Sequence, residues 1–394
     1  MEKLLLIGID TRSMLNSALK LDYEIFSSSY FSTADTPQIK NQKIILNEQE
    51  GVSCGVFEDA FSSKNILKIS KDFLDEVDYI IPISGVSPTE FSKKHQQKIL
   101  GSKNTEKIEN KYNFYNEIKD EFLTPLTFQV NDIDEAIEIN NNYATKQFIL
   151  KPVKGSGGYD INLLNNNSKF QFNKKEFIMQ EYIEGVNLSS SILASKDQAK
   201  TIINSRLLTM NDFKNNSSFI YAGNILPLTA ESVMQKINNL DKIIKTMETT
   251  AENLAMKFNL LGSNGVDYIL NENGLYVIEI NPRIQGTFEC VEKSLGINLL
   301  DAHIKACHGE IIKTDKAKFY TYKKIIYSPV TMKYKKIDLD NIYDMPHTGS
   351  ITEKDEPLLT IIDKDEDFKK LYEKVELASQ KVNSEARKHQ VKTI

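Results

Sequence analysis

Cysteine is scarce, and the three present, Cys54, Cys290 and Cys307, stand far apart in the chain. An odd, scattered set builds neither a disulfide framework nor a zinc site. Long apolar runs are also missing. The longest early one, Leu4-Leu5-Leu6-Ile7, has the length of a strand, far short of the ~20 residues that cross a bilayer. The first residues lack the charged start, long apolar stretch and small-residue cleavage site of a secretion signal. The expected location is therefore the reduced cytoplasm, away from membranes. There is no arginine-rich block, and the net charge is −5. A nucleic-acid surface needs clustered cations to displace counterions, so that class of partner is excluded. Lysine-rich patches such as Thr331 to Lys336 read as solvated faces.

What is present is globular: 394 residues, 40% hydrophobic and 26% charged, enough for two or three domains. Residues 3–9 form an apolar run closed by Asp10-Thr11-Arg12-Ser13. A helix is expected over Ser13–Leu21 and a second strand over Tyr23–Phe26. Another apolar run, Tyr79–Ile83, ends in Ser84-Gly85-Val86-Ser87-Pro88. Strands alternating with helices predict an α/β, doubly wound parallel sheet over residues 1–100. Ligands of such sheets meet the loops at the carboxyl ends of the strands, here 10–13 and 84–88. Either loop would equally serve as a plain turn. Residues 102–120 predict one helix, 132–140 another, and from about 147 the pattern changes to short strands. Helices follow at roughly 231–258 and 297–308, around a hairpin at 265–281. The tail from 311 has strand-like pieces (319–330, 358–362) and a charged terminal helix. No internal repeat is visible. The boundaries drawn are 1–100, 101–190, 191–310 and 311–394.

Phe148 to Ile161 carries three glycines in four positions, Gly155-Ser156-Gly157-Gly158, with Lys151 and Lys154 beside them. Glycines let backbone N–H groups approach an anion without Cβ atoms in the way. The loop lacks the Lys-Ser/Thr ending of a Walker A motif and is followed by a strand, so it is not a P-loop; nor does it open a helix, as the dinucleotide fingerprint does. A flexible phosphate lid fits it. So does a glycine-rich hairpin turn.

Gly265 to Arg283 reads as a hairpin. With a three-residue loop, Glu272-Asn273-Gly274, Asn271 pairs with Leu275 and Asp267 falls opposite Glu279. Alternation along the strand puts Asn281 on the face of Glu279. Two carboxylates about 5 Å apart repel unless a cation lies between them. Hard oxygen ligands with room for phosphate oxygens suit magnesium, and Arg283 can grip an anion in a bidentate fork. The same pattern would occur on an exposed hairpin face, and a loop one residue longer would turn Asp267 away. A third stretch, Phe177 to Gly185, is a strand running into a turn, able to offer backbone groups to an adenine edge. Any buried strand entering a turn looks similar.

Taken in order, these pieces resemble the ATP-grasp superfamily, on its carboxylate–amine ligase and biotin-carboxylase side. Asn110-Lys111 precedes Lys151-Pro152 by 40 residues; then come the glycine loop, Gln180-Glu181-Tyr182-Ile183-Glu184-Gly185, Asp267, and Glu279-Ile280-Asn281-Pro282-Arg283. The match covers about residues 1–310, and the tail resembles the β-rich piece of biotin-carboxylase-like members. Ser84–Pro88 and Tyr221–Pro227 resemble archaeal predicted ATP-dependent carboligases. The resemblance implies an ATP-grasp fold and a role for each matched residue. Lys111 and Lys151 would contact phosphates, and Gly155, Ser156, Gly157 and Gly158, flanked by Lys154, would close over them. Glu181 and Ile183, with Tyr182 between, would present backbone to adenine, and Glu184 would hold ribose. Asp267, Glu279 and Asn281 would carry magnesium, or manganese in its place. Arg283, with Arg206, would stabilise the reacting acyl group. The chain departs from the family at Asp160, often glycine, and at Asp267, more often glutamate.

The implied activity is ATP-dependent activation of a small-molecule carboxylate for attack by an amine, in an enzyme that is often a homodimer. Two alternatives share the motifs: a carboxylase-type enzyme activating bicarbonate, and an ATP-binding module without turnover. No biotinyl-type domain is seen for the first. His303, His308 and His347 read as helix or loop residues.

Overall fold

The structure, a computed structural model, describes residues 1–47, 49–53, 61–143, 145–155, 157–164, 176–214 and 218–391. Cys54 and Ser156 lie outside the described residues. The first sheet contains β1 (Lys3–Gly8), β2 (Glu24–Phe31), β3 (Asn41–Leu46) and β4 (Tyr79–Pro82), ordered β3-β2-β1-β4 and parallel throughout. The unbroken apolar run of β1 is explained by burial on both faces. Leu4 and Leu6 pack with Met14 and Leu15 of the helix Arg12–Ala18, while Leu5 and Ile7 pack with Ile66 and Leu74 on the other side. β2 runs five residues past the expected end at Phe26, to Phe31. Its continuation, Ser27-Ser28-Ser29, is polar and so lacks a strand signature, yet all three serines are buried. Ser27 is matched there by the Thr11 hydroxyl at 2.8 Å.

The expected single helix over 102–120 is two, Glu106–Glu109 and Lys111–Ile118. Asn110 breaks it because its side chain accepts from the N–H groups of Tyr112 and Asn113, capping the second helix. That cap fixes Lys111 as the first residue of a helix. A four-stranded antiparallel sheet follows, with β5 (Thr127–Val130), β6 (Phe148–Pro152), β7 (Asn162–Leu163) and β8 (Phe177–Glu181) in the order β5-β8-β6-β7. The helix Ile133–Asn142 covers it through Ala136.

The largest sheet has eight strands. β9 (Val186–Ala194), β10 (Ala199–Thr209), β11 (Tyr221–Leu226), β12 (Gly262–Asn271) and β13 (Gly274–Asn281) are joined by β14 (Tyr320–Tyr327), β16 (Ile342–Tyr343) and β18 (Pro357–Asp365). β15 (Met332–Lys333) and β17 (Ile351–Thr352) form a separate ribbon. The tail beyond 311 therefore adds three strands to the sheet that carries the hairpin, and the helix Phe368–Lys388 packs on them through Leu371, Val375 and Val382. The expected 231–258 helix begins only at Leu240, and presents Met247, Ala251, Leu254 and Ala255 to the sheet at 3.6-residue spacing. Cys290 and Cys307 are free thiols. No helix among the described residues is long and apolar enough to cross a membrane.

Candidate active site

The β12–β13 ribbon turns on two residues, Glu272-Asn273, with Asn271 opposite Gly274 at φ 138°. The expected three-residue loop is thus one too long. Continued without interruption, this register would set Asp267 against Ile278. A bulge between Asp267 and Tyr268 leaves Ile278 as the extra residue and brings Asp267 opposite Glu279. The pairing expected from the sequence is present, reached by a shorter loop and a compensating bulge.

Asp267 accepts from Ser189 Oγ at 2.6 Å and from Asn281 Nδ2 at 2.9 Å. Burial, reinforced by Glu279, pushes its pKa up to about 7 against those two hydrogen bonds. Glu279 is partly buried and desolvated as well, but Lys111 and Lys151 together outweigh that and hold it below the usual carboxylate range. Lys111 reaches it because its N–H is tied to the Val153 carbonyl at 3.0 Å, locking the helix start to the end of β6. Lys111 Nζ then lies 3.3 Å from Glu279 Oε2 and donates to the Gly155 carbonyl at 2.8 Å. Lys151, 3% exposed on β6, is brought down to about 7 by burial and by Lys111. The donor set fits a divalent metal: two facing carboxylates and an amide, all hard oxygen donors, beside lysines suited to phosphate oxygens. Among the described residues no group of three or more His, Cys, Asp or Glu could hold a metal, so a metal held by this pair would take its remaining ligands from elsewhere.

These residues line a cleft of about 590 Å³, together with Gly157 and Gly158. Both glycines have positive φ, 72° and 79°. The Tyr221 N–H donates to the Gly157 carbonyl at 2.9 Å, and a Cβ on Gly158 would overlap the Phe219 carbonyl oxygen. Gly157 and Gly158 therefore rest on β11 and the segment before it. The strand end Gln180–Glu184 forms another wall. The Glu181 and Tyr182 N–H groups are engaged by the carbonyls of Leu126 and Gln147, each at 2.7 Å, and the Glu181 carboxylate pairs with Lys146. Glu184 stands exposed on the rim.

Residues 108–287 match the family description "ATP-grasp domain". The chain carries an ATP-grasp domain. An uncharacterized protein of Methanocaldococcus jannaschii is 29% identical over 370 residues, 92% of this chain and 88% of that protein. The tyramine–L-glutamate ligase of the same archaeon is 27% identical over 204 residues, 52% of each chain. Among solved structures, N5-carboxyaminoimidazole ribonucleotide synthetase from Thermotoga maritima superposes with a TM-score of 0.68 at 16% identity, over 96% of this chain and 98% of that one. L-amino acid ligase from Bacillus licheniformis gives 0.67 at 13%, over 97% of both. The biotin carboxylase domain of Hydrogenobacter thermophilus 2-oxoglutarate carboxylase, a dimer solved with MgADP and bicarbonate, gives 0.70 at 14%, over 96% of this chain and 89% of that one. Such identities show the fold, which is ATP-grasp.

Within the ATP-grasp domain, Arg283 lines the cleft beside Glu279 and Asn281. Burial lowers its pKa, opposed by Glu279 and Asp267. Lys154 borders a smaller neighbouring cavity and not the main cleft. Arg206 corrects the expectation placed on it. On β10 it is Leu207 and Thr209 that line the cleft. Strand alternation sends Arg206 to the opposite face, where it pairs with Asp212 at 2.8 Å and with the Val233 carbonyl. Polar cleft residues not anticipated as such include Ser189, Gln285, Tyr221 and Asn224. Gln285 approaches Ser189 Oγ (3.4 Å) and Ser191 Oγ (3.2 Å), in space that a Cβ on Gly265 would fill. The available signal was Gln285's place two residues beyond Arg283.

Proposed function

We propose that this protein is an ATP-dependent carboxylate–amine ligase. A carboxylate oxygen attacks the γ-phosphorus of ATP and ADP leaves. The amine nitrogen then attacks the acyl carbon of the resulting acyl phosphate, phosphate leaves, and the nitrogen gives up a proton, forming an amide. The observation that carries this reading is the convergence of Asp267, Glu279, Asn281, Lys111 and Arg283 on one wall.

Asp267, Glu279 and Asn281 would hold magnesium, with manganese able to replace it. The metal, when bound, neutralises phosphate charge and polarises the transferring group. Lys111 and Lys151 add fixed positive charge where the transition state spreads negative charge over the phosphoryl oxygens. Lys151, lowered to about 7 by its burial and by Lys111, regains a reason to be protonated once a polyanion enters. Arg283 holds the carboxylate in a position to react. The Gly155–Gly158 lid, seated on Tyr221 and Phe219, keeps water from an acyl phosphate that would otherwise hydrolyse. Glu181 to Glu184 border the end of the cleft suited to a nucleoside.

Beside Arg283 lies a second cavity of about 270 Å³ with apolar walls, including Val86, Ile108 and Ile280. Bicarbonate has no use for apolar walls, which supports an organic carboxylate. The test is ADP release from purified protein with pooled carboxylates and amines. Magnesium-dependent ADP formation that needs both partners upholds the ligase; nucleotide binding without turnover in any mixture contradicts it.

A further inference from the structure

The two cavities meet at Lys111, Gly155, Glu279, Asn281 and Arg283, which border both. On the ligase reading, the phosphoryl donor occupies the larger cleft and the carboxylate approaches from the smaller. The smaller cavity, about 270 Å³, falls just below the usual lower range for ligand pockets, so its occupant is small. Cations mark one wall: Arg283, Lys111 and Lys154.

Another part of the cavity wall carries the opposite charge. Glu109 ends the short helix before Asn110, so the break that positions Lys111 also positions Glu109. Its carboxylate is oriented by Thr105 Oγ1 at 2.7 Å and by Ser87 Oγ at 3.0 and 3.1 Å. Two hydroxyl donors leave a carboxylate with unused acceptor capacity. Glu90 also borders the cavity, but it is turned into its own loop, accepting from the Ser87 N–H at 2.8 Å. Glu109 lies close enough to Arg283 for its charge to support the guanidinium against burial.

The geometry points to a zwitterionic occupant: the carboxylate that is activated belongs to an amino acid, with its carboxylate at Arg283 and its ammonium at Glu109. This rests on the ligase reading and narrows it to a substrate class. An ammonium donates hydrogen bonds to the fixed carboxylate, whereas a deaminated acid leaves that carboxylate desolvated and unmatched, a larger loss than the hydrogen bond alone. The apolar walls accept the side chain.

The experiment measures ADP release with magnesium and hydroxylamine as nucleophile, comparing alanine with propionate, leucine with 4-methylpentanoate and glutamate with glutarate. In at least one pair the wild-type kcat/KM is expected to favour the amino acid by about tenfold or more, and Glu109→Gln is expected to erase that preference. Ser87→Ala removes a tether but keeps the charge, so it retains the preference. Equal use of both members of every pair, or a preference untouched in Glu109→Gln, overturns the inference and leaves the ligase reading standing. If no pair yields ADP, these acids are not turned over and binding is measured instead. Calorimetric titration of the same amino acids, with a non-hydrolysable ATP analogue present, then decides the Glu109 site. Binding to wild type that Glu109→Gln abolishes upholds it; no binding, or equal binding to both proteins, overturns it.

Discussion

Lys111 Nζ lies 3.3 Å from Glu279 Oε2 and 2.8 Å from the Gly155 carbonyl. One side chain therefore joins the acidic ribbon to the base of the lid. Removing the carboxylate charge frees this lysine and leaves Asp267 without its partner. Glu279→Gln is expected to lower the rate of ADP formation by about a hundredfold, in the range lost when a fixed electrostatic contact to a transition state is removed. A steady-state ADP assay across magnesium concentrations checks it. An activity close to wild type would show that Glu279 holds no metal.

Lid seating gives a second expectation. Gly158 sits at φ 79° against the Phe219 carbonyl, so Gly158→Ala meets both backbone strain and overlap. The lid would rest open, and acyl phosphate would be lost to water. The measured sign is a fall in amide formed per ADP released, with thermal stability little changed because the loop lies outside the core.

Arg206 provides the contrast. It faces the tail helix side of the sheet, paired with Asp212 and the Val233 carbonyl. Arg206→Met is expected to cost about 1–3 kcal/mol of stability, from partners left unmatched. Its kcat/KM for ADP formation should equal wild type. A stable variant with collapsed turnover would return Arg206 to the reaction.

His303 predicts a pH dependence of folding. Its Nδ1 accepts from the Ser263 N–H at 2.8 Å, and its Nε2 lies 3.2 Å from the Leu100 carbonyl, so the ring is held neutral. Burial lowers its pKa from 6.5 to about 4, opposed by the bond to Leu100. The unfolded chain takes up a proton that the folded chain refuses. The contribution is complete above 6.5 and is lost as pH falls toward 4, amounting to about 3 kcal/mol across that window. Over that interval wild type should lose more thermal stability than His303→Gln.

Much of this arrangement is legible in residue order. The apolar run of β1, the glycine loop and the acidic hairpin are local patterns, and each appears where its pattern lies. What stays hidden is set by distant partners. The bulge at Asp267 cannot be read from a turn sequence, because loop length and register trade one residue for one. Arg206 is assigned to the wrong face without knowing that Leu207 and Thr209 look into the cleft. The serines of β9 resemble loop residues until Asn204, Asp267 and Gln285 arrive to bond them. The tail looks independent because β14 pairs with β11, about a hundred residues earlier in the chain.

On the proposed reading, Asp267 and Glu279 together hold the metal that grips a triphosphate. Crystals grown with manganese and a non-hydrolysable ATP analogue, measured at the manganese absorption edge, test it directly. An anomalous peak is expected within coordination distance of both carboxylates, with the phosphates beneath Gly155–Gly158. A metal bound elsewhere, or a nucleotide outside that cleft, would contradict it.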